Sequence, residues 1–290
     1  GSLGAIFSTL NNGATQPSFC DVFSGAKNLT TITETMFDGV VGSRQQMFSS
    51  AFYNCKALTS IPEKLFSKIT MNNYLFGGTF AGCTGLTSIP EKLFDNVVGG
   101  VGSGTFYATF ENCSNLTTIP GGLFKNVTGA NYRSFHRTFY GCTKITSLPS
   151  GLFRGINRSG LATFWESFAY CTSLVSVPYD LFGNVSGNTS ANGMFRGTFY
   201  GDVSLNRFVY PDGSYVSYVP PEFFEKLSGE NYIANINSGD YSFSSENSAS
   251  VYVFSGTDIA TTCPSGTTQF ITGFEADWSR HVSCVDENLV

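Results

Sequence analysis

Phe52-Tyr-Asn-Cys55-Lys-Ala-Leu58-Thr-Ser-Ile61-Pro62-Glu-Lys-Leu65-Phe66 decides how this chain reads, because it comes back. It recurs as Phe80…Cys83…Leu86…Ile89-Pro90…Leu93-Phe94 and as Phe110…Cys113…Leu116…Ile119-Pro120…Leu123-Phe124, with further copies centred on Cys142 and Cys171. The five cysteines are spaced by 28, 30, 29 and 29 residues. Degenerate copies flank them. Ala26 stands at the cysteine position before Cys55, and Asp202 at the one after Cys171. The last copy resumes only at Val219-Pro220, after about eleven inserted residues, which is the behaviour of a terminal repeat. Seven copies cover roughly residues 19–230.

With each cysteine numbered zero, apolar residues fall at −7, −3 and 0, as in Phe48, Phe52 and Cys55. That spacing predicts one face of a short helix. Leu-Thr-Ser-Ile then predicts a strand. Pro at +7 has no N–H, so it ends the strand and can open a second helical turn carrying Leu at +10 and Phe at +11. A Gly/Asn/Ser-rich loop of variable length closes the unit. One unit of about 29 residues cannot bury its own apolar face, but stacked neighbours can. The expected fold is therefore α/β. It is a leucine-rich-repeat solenoid of about seven copies, with helical turns outside, a narrow parallel sheet inside and stacked rows of Phe between. At about 4.8 Å per strand the core would be roughly 30 Å long.

The pattern Phe-x-x-Cys-x-x-Leu-Thr-x-Ile-Pro resembles the leucine-rich repeats of BspA-like, Treponema-type bacterial surface proteins. Their units are shorter, at about 23 residues within the roughly 20–29 typical of leucine-rich repeats. They also hold a wider strand-to-Pro spacing. The resemblance covers the repeat region, and it implies an extracellular or surface-attached protein with adhesion or host contact as its role.

Composition narrows the remaining classes. The 290 residues carry a net charge of −5, and only 13% are charged. An acidic balance without a Lys/Arg cluster argues against nucleic acid as a partner. No apolar run of about 18 residues is present, so no membrane insertion is expected within this chain. Residues 1–18 read as an N-terminal cap or tag remnant, and any signal or anchor is expected elsewhere. Residues 231–290 lose the period. Tyr241–Phe243 and Val251–Phe254 predict strands of a small C-terminal β cap over the last Phe rows.

At one fixed position per turn, beside two Phe, the cysteines 55, 83, 113, 142 and 171 predict a buried thiol ladder rather than disulfides or metal ligands. Cys263 and Cys284 lie outside the repeat and predict a disulfide pinning the C-terminal segment, while Cys20 has no evident partner. No catalytic constellation emerges. His136, next to core Phe135, is expected to point into solvent. Glu63 and Glu91 stack as helix-start acids rather than facing each other across a cleft. No cofactor, metal or enzymatic activity is expected. The Asn-x-Ser/Thr sites read as turn residues.

Binding features are better represented. Thr59-Ser60, Thr87-Ser88 and Thr117-Thr118 form an in-register hydroxyl row. The +8/+9 positions vary, including Lys64, Lys92, Tyr179 and Asp180. The insertion at about 206–217 carries Phe208, Tyr210 and Tyr215 around Pro211-Asp-Gly213, predicting a hairpin whose aromatics either contact a ligand or fold over the solenoid end as part of the cap. The expected function is recognition of a host or matrix protein at the cell surface. Glycan binding, or a spacer role without a specific ligand, are the alternatives.

Overall fold

The computed structural model describes residues 18–38, 40, 42–70, 72–186, 194–217, 219–224, 254 and 257, and the strand backbones of 267–271 and 282–286. Among these residues there is no α-helix; the helical element is a 3-10 turn at Pro221–Phe224. No helix there is long and apolar enough to cross a membrane.

The Phe-x-x-x-Phe-x-x-Cys stretch is thus not the short helix its spacing suggests. In the fifth copy the N–H groups of His136, Thr138, Tyr140 and Cys142 donate to carbonyls three residues back. The alternate N–H groups of Phe135, Arg137, Phe139 and Gly141 donate to Thr163, Trp165, Ser167 and Ala169 of the next copy. An α-helix would satisfy every interior N–H within itself. This ribbon of overlapping β-turns commits half of them to its neighbour. The turns require a left-handed residue every fourth position, as at Arg133 (φ 55°), Arg137 (φ 56°) and Gly141 (φ 68°). Among the described residues, all twelve non-glycine residues with positive φ fall at −9, −5 or −1 of a copy. Such backbone persists only where its surroundings over-determine it, and here the inter-copy bonds do so.

Each four-residue step turns two adjacent side chains inward. Ser134 and Phe135, then Thr138 and Phe139, are buried, whereas Arg137 and Tyr140 are half-exposed. The −7 row runs Phe19, Phe48, Phe76, Phe106, Phe135, Phe164, Phe195 with ring centroids 5.3–6.1 Å apart. The −3 row runs from Phe23 through Phe52, Phe80, Phe110, Phe139 and Phe168 to Phe199 at 5.3–5.7 Å. A third row at +11, Phe37 to Phe182, wedges its rings edge-on or tilted between them, Phe66 lying 4.7 Å from Phe76. Offset and edge-to-face contacts are the favoured aromatic geometries, so this core gains beyond its buried area.

Two polar ladders run beside the rings. At 0, the thiols of Cys55, Cys83, Cys113, Cys142 and Cys171 face the carbonyls of Phe23, Phe52, Phe80, Phe110 and Phe139 at 3.1–3.3 Å. At −4, the buried hydroxyls of Thr79, Thr109, Thr138, Ser167 and Thr198 donate to the −7 Phe carbonyl of the preceding copy at 2.7–3.0 Å.

Opposite the ribbon, extended segments are tied by few bonds. The N–H groups of Thr59, Thr117, Val175 and Asn206 donate to Thr30, Thr87, Thr146 and Val175. Proline at +7 lacks an N–H, which keeps these ladders short. Among the described residues, strand pairing appears in three places. In the loops, β1 (Gly99–Gly100) runs parallel to β2 (Val127–Gly129). At the last copies β3 (Ser176–Pro178) pairs parallel with β4 (Arg207–Val209), which pairs antiparallel with β5 (Tyr215–Val216). Finally, β6 (Thr267–Ile271) and β7 (Val282–Asp286) form an antiparallel pair.

The period does not end where the sequence suggests. Phe254 is a buried turn residue, not a strand residue, and its ring stacks on Phe199 at 5.3 Å with 1° between planes. It is the next ring of the −3 row. The Thr257 N–H donates to the Phe254 carbonyl, as Cys55 does to Phe52. The strands expected at Tyr241–Phe243 and over 251–253 lie outside the described residues.

Candidate binding face

Thr59, Ser60, Thr87, Ser88, Thr117 and Thr118 are all exposed, on extended segments anchored by buried Leu at +3 and Ile at +6. The row continues through exposed Thr146 and Ser147 to half-buried Ser176. Lys64 and Lys92 flank it, exposed, with Lys92 reaching Glu63 of the preceding copy at 4.0 Å. A contact this long and solvated contributes little.

At its end the row meets the hairpin. Tyr210 and Ser214 close the turn through a backbone bond, and the Asp212 carboxylate accepts from the Ser214 N–H and hydroxyl. These bonds hold the Asp212 carboxyl below its ordinary range. The Tyr179 and Tyr210 rings stack at 4.6 Å. With Ser147, Ser150, Ser176, Leu148, Val177, Pro178, Val209 and Pro211 they line a pocket of about 380 Å³, at the small end of ligand-sized cavities. Its wall holds hydroxyls and apolar groups and no carboxylate, ammonium or guanidinium.

Of the hairpin aromatics, Phe208 is corrected. It has no exposed surface and packs against Phe223 and Phe254, because the inward position of β4 lies over the core. Tyr215 is 57% exposed, with the Arg207 guanidinium 4.9 Å from its ring. Asp180 is half-buried, and its Oδ1 has no hydrogen-bond partner among the described residues.

The five repeat cysteines are free and without exposed surface. Burial pushes the Cys83 thiol up to about 12 and raises Cys113 and Cys171 well above their ordinary value. A thiol held protonated is neither a nucleophile nor a metal ligand. Asp202 takes the same position in the seventh copy, equally buried, and desolvation raises its carboxyl well above 3.8. Cys20 is exposed. Cys263 and the side chain of Cys284 lie outside the described residues, and so does their proposed disulfide.

His136 does not face solvent. Only 6% exposed, it stacks on Trp165 at 4.7 Å and meets the Tyr107 ring edge at 5.2 Å. Burial, then Arg133 and Arg137, lower its pKa to about 3. That favours the neutral imidazole near pH 7, and the ring is covered rather than open to solvent. Among the described residues, no cluster of three His, Cys, Asp or Glu could hold a metal. The Asn115, Asn126 and Asn184 amides, each in an Asn-x-Ser/Thr site, donate to the Thr84, Asp95 and Arg154 carbonyls of the preceding copy.

Sequence reasoning missed the −4 hydroxyl ladder and the Trp165 stack. Both signals were present as rows: Thr79, Thr109, Thr138, Ser167, Thr198 at −4, and Tyr107, His136, Trp165, Arg196 at −6. No protein-family model matches the chain, and no curated protein matches it in sequence.

Proposed function

We propose that this chain is a non-enzymatic recognition module of a bacterial cell-surface protein, built as a leucine-rich-repeat solenoid, that binds a host or matrix protein along its hydroxyl row. The resemblance of its Phe-x-x-Cys-x-x-Leu-Thr-x-Ile-Pro units to BspA-like repeats supports the class and the extracellular setting. One observation carries the role: a row of exposed Thr and Ser from Thr59 to Ser147 that reaches the Tyr179–Tyr210 pocket through half-buried Val175 and Ser176. Small hydroxyls on extended segments offer adaptable hydrogen bonds, and buried aromatic anchors supply most of the energy of an interface.

A second reading has its own support. The pocket wall combines two phenol rings, three serine hydroxyls and no charge, which suits a neutral saccharide. The test is an immobilised chain screened against matrix proteins and a neutral glycan panel, with Tyr179→Ala, Tyr210→Ala and a Thr87→Asp/Thr117→Asp pair. A protein partner should be lost with the Asp pair and with either tyrosine. A saccharide should be lost with the tyrosines alone. Binding untouched by all of these variants would sink both readings.

A further inference from the structure

The ribbon side of copies four to seven carries chemistry that the scaffold does not need. At −6 the second and third copies hold Ser49 and Gly77, and the ribbon forms there with the same bonds. The same position then becomes Tyr107, His136, Trp165 and Arg196. These side chains stack along the row. His136 lies flat on Trp165, and the Arg196 guanidinium lies 4.8 Å from the Trp165 ring centroid. From −9, Arg133 reaches the same ring at 5.1 Å and Tyr132 at 5.0 Å. Tryptophan, tyrosine and arginine are the residues most enriched at binding hot spots.

Charge sets the partner. Arg137 is charge-paired, with Glu111 at 3.3 Å and Glu166 at 3.0 Å, although its buried Nε makes no well-aligned hydrogen bond. Arg133 and Arg196 have no carboxylate partner among the described residues, although both stand about one ring away from Trp165. The Arg133 Nε is buried and has no hydrogen-bond partner there. The Trp165 indole N–H donates to the Glu166 carboxylate at 3.2 Å, so around this platform Arg133, Arg137 and Arg196 stand against Glu111 and Glu166, an excess of one positive charge on a chain whose net charge is −5. A guanidinium fork matches a carboxylate in two-point geometry, and its π-stacking on Trp165 already restricts its rotamers.

We propose that the Arg133–Trp165–Arg196 patch is a second binding surface, separate from the hydroxyl row, that docks a carboxylate-rich segment of a protein partner. Each guanidinium receives one carboxylate, and Tyr132, Tyr107 and Trp165 supply the apolar contact around them.

The experiment titrates the intact chain with a blocked peptide of alternating Asp and Glu, following tryptophan fluorescence. The Asn/Gln peptide of equal length is the control. Saturable change with the acidic peptide alone is expected. The midpoint should rise as salt goes from about 50 to about 200 mM, since exposed ion pairs are screened. The Arg133→Gln/Arg196→Gln pair should weaken binding on the order of tenfold or more while keeping the thermal midpoint. Arg154→Gln, outside the patch, should leave binding unchanged. No saturable change, an equal response to the amide peptide, or undiminished binding by the double variant would overturn the proposal. So would binding of a sulfated oligosaccharide with none of the acidic peptide.

Discussion

Replacing Asp202 by cysteine should stabilise the molecule, and by more at neutral than at acid pH. Asp202 stands in the thiol row, has no exposed surface, and neither carboxylate oxygen has a partner among the described residues. A buried polar group left unsatisfied costs about 1–3 kcal/mol, and more if it is charged. Burial raises the carboxyl well above 3.8, so the folded protein keeps a proton that the unfolded chain releases. The sign follows from linkage: stability is fully present below the unfolded pKa near 3.8 and is lost as pH rises towards the folded value. A cysteine is neutral through that window, and its thiol would face the Phe168 carbonyl as Cys171 faces that of Phe139. The expected gain is about 1–3 kcal/mol at neutral pH. That corresponds to a midpoint rise of roughly 2–4 °C per kcal/mol for a chain of this order of size. Urea unfolding followed by circular dichroism, near pH 4 and near pH 7, reads it out. Asp202→Asn is the comparator: it should flatten the pH dependence while keeping the polar cost. A D202C protein no more stable at neutral pH, or with an equal gain at both, would refute the reasoning.

Three further outcomes are expected. In a Cys263→Ser/Cys284→Ser background near pH 8, a thiol reagent should modify exposed Cys20 and reach the five repeat thiols only on unfolding; their prompt labelling without denaturant would contradict the ladder. Phe110→Ala removes a ring stacked 5.7 Å from Phe80 and 5.6 Å from Phe139, and should cost about 3–5 kcal/mol in urea unfolding. Tyr53→Ala, at a position 43% exposed, should stay within about 0.5 kcal/mol, and equal losses would place the core wrongly.

The period, the Phe rows and the position of the thiols could be read from spacing, because −7, −3 and 0 face inward in a helix and in this turn ribbon alike. What separates the two is the residue before the cysteine. It is Asn54, Gly82, Asn112 and Gly141 in successive copies, and glycine and asparagine are the residues that enter the left-handed region most easily. A helix has no use for them one residue before a core position, so this signature argued for turns. Phe254 was hidden for a different reason. Phe254-Ser-Gly-Thr257 precedes Pro264 by the same ten residues that separate Phe52 from Pro62, but it lacks both the cysteine and the leucine that made the other copies visible. Phe208 was misjudged because a hairpin projecting from a repeat suggests solvent on both sides, whereas β4 pairs with β3 and turns one face to the core.

The hydrogen-bond pattern of the ribbon also explains where specificity can reside. Alternate N–H groups are committed to the next copy, so backbone bonds and inward rings hold the copies together, and the outward positions are free to vary in chemistry. Serine and glycine suffice at −6 in copies two and three. Tyr107, Trp165 and Arg196 therefore bring bulk, charge and desolvation cost where small residues would do. The strand side differs in kind. There Thr59, Thr87, Thr117 and Thr146 repeat one chemistry at one position, with variety at the flanking +8/+9 positions and where β4 and the hairpin bring Tyr210 against Tyr179. A repeated surface favours an extended partner that meets the same groups many times, and a varied one favours a single local contact. On the function proposed above, the hydroxyl row would supply reach, and the two aromatic sites at the late copies would decide which partner stays.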